Sequence, residues 1–99
     1  MKNEPFKNRV ALVSGSSMGI GKAIAIELAQ KGAKVMLNAR KQDRLKDTEI
    51  ELSEMDHDVK AFIADVRDPD QCAQLINETI KCYGQLDILV NNAAITVFT

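Results

Sequence analysis

Val10-Ala11-Leu12-Val13-Ser14-Gly15-Ser16-Ser17-Met18-Gly19-Ile20-Gly21 is the stretch on which the reading of this chain turns. A short apolar run, 10–13, meets three glycines, Gly15, Gly19 and Gly21, and a helical pattern opens directly after them with Ala23, Ile24 and Leu28. Strand, tight turn and helix start follow one another without a spacer. Glycine lets the backbone reach φ > 0 and lets a ligand approach where a Cβ would otherwise stand. A helix N-terminus offers unpaired N–H groups and a partial positive charge, both suited to a pyrophosphate. The spacing is G-x-x-x-G-x-G rather than the commoner G-x-G-x-x-G, and a Gly-rich turn can also do no more than join a strand to a helix.

Working outward, the same alternation repeats. Strand one covers residues 9–14, and the helix after it covers 20–31, with a small apolar face of Ala23, Ile24, Ala25, Leu28 and Ala29 and a stop at Gly32. Strand two covers 34–38. The second helix covers 41–55, with an inner stripe of Leu45, Thr48, Leu52 and Met55 on an otherwise charged surface. Strand three covers 59–64. The third helix opens at Asp68 as N-cap, with Pro69 at N1 and Gln71 at N3 for a capping box, and carries the stripe Cys72, Leu75, Ile76, Thr79, Ile80 and Tyr83 up to Gly84. Strand four covers 86–90 and runs into Asn91-Asn92-Ala93-Ala94. The polar lead-in, 1–7, carries Phe6, which is expected to tuck against the sheet edge.

Strands alternating with helices of this length predict an α/β fold with a parallel sheet. Right-handed crossovers give the order 3-2-1-4, a Rossmann-like, partial doubly wound sheet with three helices in a single domain. Ligands of such sheets sit beyond the carboxyl ends of the strands. Four polar or Gly ends gather there: Ser14-Gly15, residues 38–40, Asp65-Val66 and Asn91-Asn92.

Composition narrows the classes. At 99 residues the chain allows one small domain, and 45% hydrophobic with 27% charged residues is ordinary globular material. A net charge of −1 gives no reason to expect nucleic acid or an acidic membrane surface as a partner. No run reaches the length of a membrane span, and the start lacks a signal-peptide apolar region. Cys72 and Cys82 fall on one predicted helix at about 15 Å of rise, too far apart for a disulfide. A reducing cytoplasm is the expected compartment. His57 stands between Asp56 and Asp58 in a predicted loop with no second histidine, which is no metal-ligand set.

These motifs together resemble the N-terminal part of the short-chain dehydrogenase/reductase family and are similar to its oxoacyl-ACP reductase-like members. The family turn T-G-x-x-x-G-x-G stands as residues 14–21, its acidic residue after strand three as Asp65-Val66, and its N-N-A-G after strand four as residues 91–94, with Ser14 for Thr and Ala94 for Gly. The resemblance covers essentially all of 6–95. It implies a nicotinamide dinucleotide as cofactor, with Gly15, Ser16, Ser17, Met18, Gly19, Ile20 and Gly21 holding the pyrophosphate and adenosine ribose. It further implies Asp65 on the adenine amino group with the Val66 backbone beside it, and Asn92 and Ala93 near the adenine-side ribose. The activity implied is hydride transfer between nicotinamide and an alcohol or ketone.

NADP is expected over NAD. NAD-binders place an acid on the ribose 2′-OH about 20 residues past the turn, whereas Asn38-Ala39-Arg40-Lys41 offers no carboxylate before Asp43, and Arg40 can fork onto a 2′-phosphate. Met18 stands where many NADP-dependent relatives carry a basic residue. The catalytic Tyr-x-x-x-Lys of the family is missing from these 99 residues. The only tyrosine, Tyr83, is followed four residues later by Asp87 and belongs to a packing stripe. The chain is therefore expected to be the cofactor-binding fragment of an oxidoreductase, inactive alone. The other reading is a non-catalytic truncated module for nucleotide binding or subunit interaction. Strand four, apolar at Leu86, Ile88, Leu89 and Val90, is expected to be an open edge that self-associates or takes a covering partner.

Overall fold

The computed structural model describes residues 3–92. Its elements run β1 (Val10–Val13), α1 (Gly19–Gln30), β2 (Lys34–Ala39), α2 (Leu45–Glu54), β3 (Val59–Ile63), α3 (Pro69–Tyr83) and β4 (Ile88–Val90). The four strands make one parallel sheet in the order β3-β2-β1-β4. Val13 pairs with Leu37 on one side and Val90 on the other, so β1 is central and all its residues are buried.

Side-chain alternation along the strands divides the core in two. Ala11, Val13, Val35 and Leu37 face α1 and α2, meeting Ala25, Ala29, Leu45 and Leu52. Leu12 and Met36 face the other way, toward Leu75 of α3. The reversal of side follows from right-handed crossovers: β1-α1-β2-α2-β3 steps one way across the sheet, and α3 must return past β2 and β1 to reach β4.

Several local expectations need correction. In α1 the buried line is Gly21, Ala25 and Ala29, at intervals of four, while Ala23 is exposed. The second helix begins at Leu45 rather than 41. Residues 42–45 make a turn closed by Leu45 N–H on the Gln42 carbonyl, and Asp47 takes the acidic first-turn position. Met55 of its stripe is exposed. In α3, Ile80 is exposed and Cys82 packs inward instead. The fourth strand starts at Ile88 because the Asp87 carboxylate accepts the Val10 N–H at 2.8 Å, taking up a ladder donor with a side chain. Phe6 packs on the α1 and α2 side, and its N–H donates to the Lys31 carbonyl, so the lead-in is tied to the end of α1 rather than the sheet edge. Cys72 and Cys82 are free thiols. Among the described residues no helix is long and apolar enough to cross a membrane. Leu89 of the edge strand β4 remains exposed.

Candidate functional site

The turn between β1 and α1 is held from three directions. Asn38, wholly buried near the end of β2, accepts the Gly15 N–H on Oδ1 at 3.4 Å and donates from Nδ2 to the Phe62 and Ala64 carbonyls at 3.0 and 3.2 Å. One side chain thus ties the ends of β1, β2 and β3. Ser16, also wholly buried, completes the lock: its N–H donates to the Asn38 carbonyl and its Oγ accepts the Asn38 N–H, both at 2.8 Å. The Ser16 hydroxyl is therefore part of the frame.

From β4, Asn92 donates its N–H to Ser14 Oγ at 2.9 Å and its Nδ2 to the Gly15 carbonyl at 3.2 Å. From α2, the Thr48 hydroxyl donates to the Ser17 carbonyl at 3.0 Å, and Lys22 of α1 pairs with Glu51 at 2.9 Å. A peptide is planar and trans, so pinning the Ser17 carbonyl on Thr48 turns the Met18 N–H to the opposite side.

The glycines have distinct reasons. Gly15 and Gly19 both have φ of +62°. A Cβ on Gly19 would meet nothing within 4 Å, so the space over the helix start is open. A Cβ on Gly21 would stand 2.1 Å from the Gly15 carbonyl oxygen and 2.6 Å from Asn92 Nδ2. Gly21 thus lets α1 begin directly against the turn. The helix start itself has no side-chain cap at Met18 and no acidic residue in its first turn.

A cavity of about 550 Å³ lies beyond the carboxyl ends of β1, β2 and β3. Of the residues singled out from sequence, Gly15, Ser17, Met18, Arg40, Asp65 and Val66 line it together. Ser16 and Gly21 are buried in the frame, Gly19 and Ile20 stand exposed at the helix start, and Asn92 braces the turn from β4. Ala93 lies outside the described residues. The cavity adds residues that the sequence reading did not select: Lys41, Asp43, Arg44 and Arg67. Arg44 Nη1 comes within 3.7 Å of Met18 Sδ. Arg67 forks onto Asp65, Nε to Oδ1 at 3.0 Å and Nη2 to Oδ2 at 2.9 Å, with its own N–H on Oδ1 at 3.0 Å. That guanidinium first, and the Arg67 N–H after it, hold the Asp65 carboxyl down at about 2 from the usual 3.8. The late start of α2 leaves Arg40, Lys41 and Arg44 in one loop on the cavity wall, which no local sequence pattern signals for Arg44. Asn38 gave only the signal of a polar strand end.

A second, smaller cavity of about 100 Å³ lies on the α3 side, between Ser14, Asn91, Leu75 and Leu89, and Val66 lines both spaces. Tyr83 is at the other end of the sheet. Its hydroxyl donates to Asp58 Oδ1 at 3.1 Å and Lys34 Nζ stands 6.0 Å from its ring. Burial, then the Asp58 charge, push its phenol well above the usual value. It braces α3 against the start of β2 and β3, far from the glycine turn.

Comparison with known proteins places this geometry. The sequence profile of the family described as short chain dehydrogenase matches residues 9–99. The chain is 40% identical over 95 residues to 11-beta-hydroxysteroid dehydrogenase 1A of Arabidopsis thaliana, covering 95% of this chain and 27% of that protein. Its fold superposes on a crystal structure of a short chain dehydrogenase from Mycobacterium smegmatis with a TM-score of 0.89 at 32% identity, over 93% of this chain and 39% of the other. A short-chain dehydrogenase/reductase from Caenorhabditis elegans, crystallised with cofactor, gives 0.80 at 37% identity, over 85% of this chain and 32% of the other. The chain thus spans between a quarter and two fifths of the length of these relatives.

Proposed function

The chain belongs to the short-chain dehydrogenase family, and from that membership we propose that it holds the adenosine and pyrophosphate of a nicotinamide dinucleotide, NADP in preference to NAD, for an oxidoreductase acting on an alcohol or ketone. The single observation that carries this reading is the start of α1: uncapped, without an acid in its first turn, and open above Gly19. A pyrophosphate fits such a start because the free N–H groups and the helix dipole are left to it. The turn 15–21 would hold it, Asp65 and the Val66 backbone would take the adenine, and Asn92 with Ala93 would steady the ribose side. When bound, the nicotinamide supplies or accepts the hydride, and these residues bind and orient its carrier.

The NADP preference rests on the loop 40–44. Arg40, Lys41 and Arg44 line the cavity, and the end of β2 carries no carboxylate. Arg44, reaching Met18 Sδ at 3.7 Å, brings a guanidinium to the place where many relatives carry a basic residue at 18. Removing a charge-assisted fork costs about 1.5–3 kcal/mol, so Arg40→Ala should weaken NADP roughly tenfold or more and leave NAD within about twofold. Calorimetric titration of both cofactors reads this directly, and equal loss for the two overturns the preference. Association belongs to the same reading, since Leu89 is exposed on the edge strand β4. A sharp monomer in light scattering at micromolar concentration would end that part.

A further inference from the structure

The loop after β3 carries an arrangement that the family motif does not by itself require. Asp65 has two carboxylate oxygens, with about four acceptor positions between them. Arg67 fills three of these: its N–H and Nε both reach Oδ1, and Nη2 reaches Oδ2. The acceptor position left over is on Oδ2. The backbone of Asp65 is held as well: Gln71 Oε1 accepts the Asp65 N–H at 2.8 Å while Gln71 Nε2 donates to Asp68 Oδ2 at 3.1 Å. The Asp65 side chain is about a quarter exposed, so a donor in the 550 Å³ cavity can reach it.

We propose that Arg67 is a positioning residue for base recognition: by forking onto Asp65 it holds the carboxylate in one orientation, leaving a single Oδ2 acceptor for a purine that carries an amino group. This rests on the dinucleotide reading above. The fork selects by hydrogen-bond polarity. Adenine presents an N–H at C6, which Oδ2 accepts. Hypoxanthine presents a carbonyl at the same place, which a fixed carboxylate repels. With Arg67 removed, the carboxylate loses the three bonds that fix its orientation and turns freely, so it discriminates less. The charge of Arg67 also attracts any nucleotide diphosphate, but that attraction is the same for both bases.

The experiment is calorimetric titration of the full chain with ADP-ribose and with its hypoxanthine counterpart, which replaces the C6 amino group by a carbonyl and carries a proton on N1. The parent should prefer adenine about tenfold or more. Arg67→Ala should reduce that ratio at least threefold. Arg67→Lys keeps the charge and loses the planar fork. It should restore overall affinity toward the parent and leave the ratio as low as in the alanine variant. A ratio unchanged in both variants overturns the assignment, as does a uniform loss for both probes. A parent that binds neither probe overturns the dinucleotide reading itself and this inference with it.

Discussion

Two helices of this domain start at the carboxyl end of the same sheet, and they start in opposite ways. α3 closes its own N-terminus: Asp68 accepts the Asp70 N–H at 3.0 Å, Pro69 removes a donor, and Asp70 adds a negative charge to the first turn. α1 does none of this. Met18 is extended, with φ −162° and ψ 169°, and has no cap bond to give. A helix end needs its four orphan N–H groups satisfied by something. Where the chain supplies the acceptor, as at α3, the end is structural. Where the chain instead invests in holding an open turn, as Asn38, Ser16, Asn92 and Thr48 do around α1, the acceptor is left to come from outside.

The largest effect separates support from opening within the α1 start. Gly21→Ala puts a Cβ 2.1 Å from a backbone carbonyl, which no side-chain adjustment relieves. Overpacking of that kind costs about 3 kcal/mol, and urea unfolding should show it with nucleotide binding lost as well. Gly19→Ala meets no atom and pays only for its φ of +62°, about 1–2 kcal/mol. It should stay folded while losing nucleotide affinity. If Gly19→Ala binds as the parent does, the opening above α1 is not where the pyrophosphate goes.

The second pair exchanges the two designs. Asp68→Ala should cost about 1 kcal/mol in unfolding free energy and leave nucleotide affinity within twofold. Met18→Asp should do the reverse: the residue already has the extended backbone of an N-cap, so an acid there should stabilise the fold by about 0.5–1 kcal/mol. The same acid should repel a pyrophosphate and reduce binding tenfold or more. Thermal unfolding and titration on the two variants test the comparison in one set of measurements. A Met18→Asp variant that gains stability and keeps its affinity breaks it.

How much of this contrast was readable beforehand depends on whether a feature is local. The four strands were, because Val10–Val13, Val35, Met36, Leu37 and Val59 are short apolar runs between turn signals, and the sheet order followed from crossover handedness. The α3 cap was readable for the same reason: Asp68 and Pro69 act within one turn of chain. Its capping box differs from the expected one: Gln71 bonds the Asp68 carboxylate and the Asp65 N–H, while the Asp68 N–H goes to the Asp65 carbonyl. The frame of the turn was not readable. Asn38 bonds residues 22 to 26 positions away, and no local pattern distinguishes such an asparagine from a solvated strand end. Arg44 and Arg67 were missed because each acts through a loop conformation. The sequence pattern predicts the start of α2 at 41, which puts Arg44 inside a helix, whereas the helix starts at Leu45 and leaves Arg44 on the cavity wall.

The smallest effect sits where the two helix starts meet, on the loop that leads into α3 and walls the cavity beside α1. The Asp65 carboxyl is held down at about 2, chiefly by the Arg67 guanidinium. Its folded value lies below its ordinary one, so the pair contributes to stability above pH 3.8, where both states are ionised. That contribution falls away as the pH drops from about 4 toward 2, because the unfolded chain takes up the proton first. The pair is on the surface, so salt screens it and the contribution is small. Carboxylate NMR should place the Asp65 midpoint near 2 in the parent and closer to 3.8 in Arg67→Ala. The stability difference between the two proteins should be present at pH 6 and shrink below pH 4. An Asp65 midpoint that does not move in Arg67→Ala would mean that the α1 side of the cavity, not the fork from its own loop, sets the charge of this carboxylate, and the two helix starts would then be electrostatically coupled rather than separate.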